Sequence, residues 1–171
     1  MKRDSQRQKV YDAERFVTTR RQFGSLDEVK QFISTVVGSR WWKTKYPFAR
    51  REFKFIVGPD WWRASMGWMG TLVLPKSKWN DFVVLHELTH VAMYKHRLGR
   101  NSPAHGRVFC NHLLQIIRRF AGDQSWEELK EGFKAKRVKW VVFSHKPPGN
   151  PHIRDYLPEV GVGQPTEVCV K

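Results

Sequence analysis

The chain has 171 residues, enough for a single globular domain with short tails. Hydrophobic residues make up 40% of it and aromatic residues 13%, which supplies a core and argues against a wholly disordered protein. Lysine and arginine total 31 against 16 acidic residues, so the formal net charge is +15 and contact with polyanions is expected. There is no apolar run of membrane-spanning length and no secretory signal, and two cysteines are too few for a disulfide framework. These features predict a cytoplasmic protein without membrane contact.

Two helices are predicted near the start of the chain. Residues 4–21 contain no helix breaker and place apolar side chains at helical spacing. Ser25 and Glu28 form a capping box, in which the serine hydroxyl accepts an unpaired N–H and the glutamate reaches back. The helix that this box opens is apolar on one side and is predicted to end at Gly38.

The next part of the chain carries two strand signals. Residues 40–54 are rich in cations and aromatic rings. Residues 53–57 and 70–74 have the composition of strands, and the second ends at Pro75. The segment between them is rich in glycine and tryptophan and is interpreted as a loop or an irregular strand.

A pair of helices is predicted after the second strand. The first is capped by Asn80 or Asp81 and runs to about Lys95. The second starts at Ser102-Pro103, because the hydroxyl can cap the helix and proline needs no N–H partner in the first turn. It is expected to end at Gly122, and the turn between the two helices can bring them antiparallel.

The remaining residues predict a short helix, a strand and a tail. Ser125 and Glu128 form a second capping box, which opens a helix to about Phe133. Residues 139–143 are predicted to be a strand. Residues 144–171 are rich in proline and glycine and lack apolar periodicity, so they are interpreted as an extended or disordered tail after a domain at 1–143.

The strongest functional signal is the H-E-x-x-H motif of residues 86–90. Positions four apart on a helix differ by about 40° and lie one turn apart, so His86 and His90 can bind one zinc ion. Glu87 is placed to act on a zinc-bound water rather than as a ligand. The flanking residues make this helix apolar nearly all round, and buried imidazoles and carboxylates are costly unless paired or metal-bound.

A catalytic zinc site needs a third protein ligand, and several residues are candidates. His105 is favoured, because the turn before it can aim it back at the pair and Gly106 leaves room for close approach. His96 stands where metzincins have their third ligand, but Met93 replaces the glycine that the pattern needs. His112 is interpreted as a neighbour of the site or an ordinary helix residue. A carboxylate ligand would have to come from the last helix, from Glu127, Glu128 or Glu131.

Two resemblances carry this interpretation further. HELTH together with PAHGRVF at 103–109 resembles the zincin pattern of SprT-like and related small metalloproteases. RDSQRQKVYDAE at 3–14, LVLP at 72–75 and VVLHELTH at 83–90 are similar to a family of zinc metallohydrolases from actinobacteria and their phages. That family consists of single-domain proteins without a settled substrate, and the similarity spans roughly residues 3–140.

The resemblance implies an α+β, zincin-like domain with N-terminal helices and a small mixed sheet. The motif helix would pack against a following helix that carries the third histidine. It implies His86, His90 and His105 as zinc ligands and Glu87 as general base. A phage-encoded copy would work in the host cytoplasm. Tyr94, Arg97 and Arg107 are candidates for stabilising a transition state, and the edge of the strand at 70–74 could hold an extended peptide.

The positive charge suggests a second kind of partner. Residues 40–54 interleave Trp41, Trp42, Tyr46 and Phe48 with six lysines or arginines, which suits phosphate contacts and base stacking on single strands. Alternatively, these aromatic side chains form core and the cations a solvated face. Non-specific nucleic-acid binding through this basic-aromatic surface is therefore an expectation beside that of a protein or peptide substrate.

Three functions remain open on this evidence. The first is a zinc-dependent hydrolase, most simply a peptidase. The second is a basic nucleic-acid-binding protein whose zinc is structural or vestigial. The third is a binding module that blocks a host protein.

Overall fold

The computed structural model describes residues 4–62, 64–66, 70–95 and 103–140, with the backbone alone at 65–66 and 94–95. This part of the chain is an α+β fold in which helices predominate, as the sequence predicted. In chain order the elements are α1 (Arg7–Glu14), α2 (Leu26–Gly38), α3 (Arg40–Lys45), β1 (Lys54–Ile56), β2 (Ser65–Met66), β3 (Thr71–Val73), α4 (Asp81–Lys95), α5 (Arg107–Phe120) and α6 (Asp123–Ala135).

The capping box before α2 forms as predicted. The Ser25 Oγ accepts the Glu28 N–H at 3.2 Å, and the Glu28 carboxylate accepts the Gly24 N–H at 3.2 Å. α2 then ends at Gly38, and its apolar side faces the core. The first predicted helix is shorter than expected, since α1 covers only Arg7–Glu14 of residues 4–21.

A helix that the sequence analysis missed follows at once. The Ser39 Oγ accepts the Trp42 N–H at 3.1 Å and caps α3, which occupies the start of the basic-aromatic stretch. Trp42 and Tyr46 have no exposed surface, and the Trp41 ring packs edge-on against Phe120. The interpretation of these rings as core is therefore the correct one; only Phe48 of the four aromatic residues is strongly exposed, at 68%.

Among the described residues, the sheet has three short strands in the order β1-β3-β2. β1 is parallel to β3, with Phe55 opposite Leu72, and β2 is antiparallel to β3, with Met66 opposite Leu72. The segment that was interpreted as a loop or irregular strand thus contributes β2. Because β3 is paired on both sides, its edge cannot hold a peptide as predicted; the edges of this sheet belong to β1 and β2.

α4 begins where the sequence predicted. Hydrogen bonds from the chain that follows α1 hold its first residues in place. The Asn80 Oδ1 accepts the Val83 N–H at 2.9 Å as an N-cap. The Asp81 carboxylate accepts the N–H groups of Phe82 at 2.7 Å and Arg21 at 3.1 Å, and Gln22 forms a β-bridge with Asn80. α4 packs against α5, β2 and α2, so its buried residues lie on several sides of the helix.

After α4, the predicted start of α5 and the second capping box are wrong, whereas the predicted stop at Gly122 is confirmed. α5 starts at Arg107 rather than at Ser102-Pro103, and residues 103–106 form a turn in which the Gly106 N–H donates to the Pro103 carbonyl at 2.9 Å. α5 ends before Gly122, whose φ of +96° is left-handed, as a helix stop requires. α6 begins at Asp123, so Ser125 lies within the helix and caps nothing. Its hydroxyl instead donates to the Thr19 carbonyl at 3.0 Å.

The end of the domain stays partly a prediction. Lys139 and Trp140, the start of the predicted strand at 139–143, belong to no strand. Residues 141–143 and the predicted tail at 144–171 lie outside the described part of the chain, as does any test of the domain boundary between them. Among the described helices, none has both the length and the apolar character that crossing a membrane requires.

Candidate metal centre

The motif helix buries its chemical groups. His86 and Glu87 are 4% and 5% exposed, and His90, one turn later on the same side of α4, is half-buried. Leu85 and Leu88 have no exposed surface, so this part of α4 sits in the core. Polar side chains in such a place need partners.

His105 joins the pair from the turn before α5. It lies one residue before the N-cap Gly106, so it sits outside the helix that was expected to carry it. A Cβ at Gly106 would lie 3.1 Å from the Pro103 carbonyl oxygen of the same turn. The missing side chain at Gly106 therefore allows a tight turn. The sequence analysis had instead predicted that it leaves room between two helices.

The three imidazoles converge on one point. The Nε2 atom of His86 lies 3.2 Å from that of His90 and 3.3 Å from that of His105, and one nitrogen from each ring falls within 4.8 Å of the others. Nitrogen ligands at about 2.0–2.1 Å from a tetrahedral zinc are about 3.3 Å from one another. The three buried or half-buried histidines could therefore hold a metal ion.

Two carboxylates from the start of the chain contact the far side of two of these rings. Glu14 Oε1 lies 2.6 Å from Nδ1 of His86, and Asp4 Oδ2 lies 2.8 Å from Nδ1 of His105. Both distances are those of charge-assisted hydrogen bonds. A neutral ring that donates from Nδ1 keeps a lone pair on Nε2, so these contacts select the tautomer that a metal ion requires.

The protonation of the rings reflects these surroundings. Burial is the largest influence on the pKa of His86 and lowers it, but the nearby carboxylates of Glu14 and Glu87 outweigh burial and raise the pKa to about 9. Burial, with the neighbouring charges of His86 and His105, holds the pKa of His90 well below its usual range. Burial also lowers the pKa of His105, against the opposing effect of Asp4. A cation would therefore meet two neutral imidazoles and compete with a proton on the third.

Aromatic rings enclose the cluster. Phe109, on the first turn of α5, stacks on His90 with ring centres 4.5 Å apart and lies within 5.1 Å of the other two imidazoles. Tyr11 of α1 packs edge-on against His105, with ring centres 5.2 Å apart. These contacts restrict the rotation of the imidazoles and lower the local dielectric constant.

The other candidate ligands are held elsewhere or lie outside the description. His112 Nδ1 is 2.8 Å from the hydroxyl of Tyr46, so it belongs to the neighbourhood of α3. The three glutamates of α6 bind other partners, namely Lys130 for Glu127, Thr18 and Thr19 for Glu128, and Lys134 for Glu131. His96, Arg97 and the side chain of Tyr94 are outside the described residues, and Arg107 is exposed at the start of α5.

The sequence analysis assigned no role to Asp4, Tyr11 and Glu14, although all three lie in the quoted segment RDSQRQKVYDAE. One signal could have found the two acids. Buried histidine ligands usually donate their second N–H to a carboxylate, so a search for acidic partners was warranted. The packing of α1 determines which of the 16 acidic residues contacts which imidazole. The spacing of residues along the sequence does not specify this packing.

Comparison with known proteins gives no match: no family model, no curated protein and no solved structure is significantly similar to this chain.

Proposed function

We propose that this protein is a zinc-dependent hydrolase that cleaves peptide bonds. The observation that carries the proposal is the convergence of the three imidazoles beside the buried carboxylate of Glu87: the Nε2 atom of His86 lies from those of His90 and His105 at the distances that separate ligands of a tetrahedral zinc. Three imidazoles favour zinc over magnesium or calcium, which prefer oxygen ligands. Three protein ligands also leave a fourth position for water or substrate, as catalytic zinc sites require.

Glu87 supplies the acid-base chemistry in this proposal. It follows His86 directly on α4, and its side chain is buried close to the cluster. When bound, zinc would lower the pKa of a coordinated water towards neutrality and polarise the substrate carbonyl. Glu87 would accept a proton from the attacking water and deliver it to the leaving amine. His86, His90 and His105 would hold the ion, and the aromatic rings of Tyr11 and Phe109 would limit the access of bulk water.

The proposal is tested by metal analysis and by cleavage of fluorescently labelled casein. Wild type is expected to carry about one equivalent of zinc and to release labelled peptides. Glu87→Gln should keep the zinc and lose about 100-fold or more in rate, because only the general base is removed. His86→Ala should lose the zinc and the activity together.

Two variants serve as matched controls for this experiment. Glu131→Gln removes an exposed carboxylate that pairs with Lys134, and His112→Ala removes a histidine that lies outside the cluster. Both should keep zinc and activity. A wild-type protein without zinc, or cleavage that survives Glu87→Gln, would rule the proposal out.

A second candidate function is supported by the charge of the chain. With a formal net charge of +15, the protein is expected to attract nucleic acids whatever its chemistry. Since Trp42 and Tyr46 are buried, base stacking would have to use other rings; Phe48, Trp61 and Trp62 are 68%, 81% and 39% exposed. The zinc site would then be structural or vestigial, and binding would not depend on Glu87.

A further inference from the structure

The carboxylates that contact Nδ1 of His86 and Nδ1 of His105 both come from one short segment, residues 4–14. Glu14 accepts from His86, Asp4 accepts from His105, and the Gln6 side-chain amide donates to the His105 carbonyl at 3.1 Å. The segment precedes the two histidines by 72 and 101 residues along the chain, so these contacts come from tertiary folding.

We infer that Asp4 and Glu14 are positioning residues of the metal centre, which fix the imidazoles of His105 and His86 and contribute negative charge that balances a divalent cation. This inference rests on the proposed metal site and extends it to residues outside the H-E-x-x-H motif. Neither residue contacts a substrate in this account; each acts through the histidine that it holds.

The geometry supports this role over a purely structural one. Hydrogen bonds of 2.6 and 2.8 Å to Nδ1 leave both Nε2 atoms directed at the common point, where they lie 3.3 Å apart. Two neutral imidazoles that face each other with lone pairs repel unless a proton or a cation lies between them. The carboxylates therefore hold the rings in an arrangement that is favourable when a proton or a metal cation lies between them.

The charge of the whole molecule makes these carboxylates more important. A formal net charge of +15 disfavours the approach of a divalent cation to the protein. Asp4 and Glu14 contact two of the imidazoles and Glu87 is buried beside His86, so three carboxylates lie close to the cluster. Coulomb interactions at this range are strong where little water penetrates, so removing one charge should weaken metal binding measurably.

Another carboxylate of the segment 4–14 provides the comparison. Asp12 belongs to α1 like Glu14, but its side chain contacts Gln8 at 3.0 Å and Arg15 at 3.9 Å instead of a histidine. Removing its charge leaves the histidine contacts intact. A variant at this position therefore separates a general effect of charge in α1 from an effect on the metal centre.

The experiment measures zinc affinity by competition with a chromophoric chelator in full-length wild type, Asp4→Asn, Glu14→Gln and Asp12→Asn. Asparagine and glutamine keep an acceptor for Nδ1–H and remove the charge. We expect each of the first two variants to bind zinc about 10- to 100-fold more weakly than wild type, and Asp12→Asn to bind it as wild type does. The absorption spectrum of the cobalt-substituted protein should also change in Asp4→Asn and Glu14→Gln only.

The thermal midpoint of each variant, measured in the presence of EDTA, serves as the control for correct folding. Weaker zinc binding with an unchanged metal-free midpoint supports the inference, because a structural role would lower the midpoint without metal. Zinc affinities and cobalt spectra equal to those of Asp12→Asn would overturn it, even though the proposed hydrolase would stand. Loss of activity in Glu87→Gln does not bear on this result, since zinc affinity is measured without substrate.

Discussion

Single side chains tie α1 to the rest of the domain, and Glu128 is the clearest case. Its carboxylate accepts the N–H of Thr18 at 2.7 Å and of Thr19 at 3.3 Å, as well as both threonine hydroxyls. The sequence assigned this residue to a helix cap, but it binds the chain that leaves α1. The segment 4–14, which contains Asp4 and Glu14, contacts the histidines, and the residues that follow it are bound to α6.

The Glu128 contacts predict how stability depends on pH. Burial would raise the pKa of Glu128, but the hydrogen bonds from Thr18 and Thr19 outweigh it and lower the pKa from 4.5 to about 2. A group whose pKa is lower in the folded state stabilises fully above its unfolded pKa, and this contribution is lost as the pH falls towards the folded value. Wild type should therefore lose stability between about pH 4.5 and pH 2.

Glu128→Gln should remove that part of the pH dependence and cost about 1–2 kcal/mol at neutral pH, where it weakens charge-assisted hydrogen bonds. Urea unfolding at a series of pH values measures both effects. Glu131→Gln, on the exposed side of the same helix, should behave as wild type. Identical pH profiles for wild type and Glu128→Gln would contradict the prediction.

At the scale of elements, α1 and α6 approach closely because Gly132 has no side chain. A Cβ at Gly132 would lie 2.3 Å from the carbonyl oxygen of Ala13, a contact that the backbone cannot relieve without moving. Ala13 precedes Glu14, so the packing of these two helices also sets the position of the carboxylate on His86. The distance between two helices thereby influences the candidate metal centre.

Gly132→Ala should destabilise the protein by about 1–3 kcal/mol, because added volume in a tight contact forces the backbone apart. It should also weaken zinc binding through Glu14. Gly38→Ala is the matched control, since a Cβ there meets nothing within 4 Å. Urea unfolding and chelator competition test both effects, and equal stabilities for the two variants would show that α1 and α6 can separate without cost.

Local signals predicted the elements whose ends depend on nearby residues. The capping box at Ser25, the cap at Asn80 and the stop at Gly122 each involve atoms a few residues apart, and the structure has all three. The Ser125 box failed because its atoms find partners more than 100 residues away. α3 was missed because residues 40–54 were considered only as a nucleic-acid surface or as core, and not for helix signals, although the preceding Ser39 is a sound cap.

The candidate site likewise combines features that local sequence predicts with features that depend on tertiary packing. The spacing of His86 and His90 on one helix is a local property, and the structure places them as expected. His105 was preferred over His96 and His112 by an argument about the turn at 98–103. Residues 98–102 lie outside the described part of the chain, but His105 does lie beside His86, although α5 begins only after it. Asp4 and Glu14 reach the site through the packing of α1, which periodicity and spacing do not specify.

At the scale of the whole molecule, the positive charge predicts salt-dependent binding of nucleic acid. Wild type should bind a fluorescently labelled single-stranded oligonucleotide at low ionic strength and release it as salt is added. Binding displaces counterions from the phosphates, and added salt opposes that displacement. Trp61→Ala should weaken binding by about tenfold if a base stacks on this exposed ring. Fluorescence anisotropy gives both values.

Glu87→Gln should leave that affinity unchanged, since the carboxylate is buried. An equal loss of affinity in Glu87→Gln and Trp61→Ala would link the nucleic-acid surface to the histidine cluster. No binding at low ionic strength would remove nucleic acid from the set of partners.

The long reach from Asp4 to His105 has a consequence for biosynthesis. The carboxylate is made 101 residues before the imidazole that it holds, which at roughly 5–20 residues per second is about 5–20 s of translation. A nascent chain that has emerged up to the end of α4 contains Asp4, Glu14, His86 and His90 but lacks His105. We therefore expect the proposed metal site to be complete only after His105 has been made and has folded against α1 and α4.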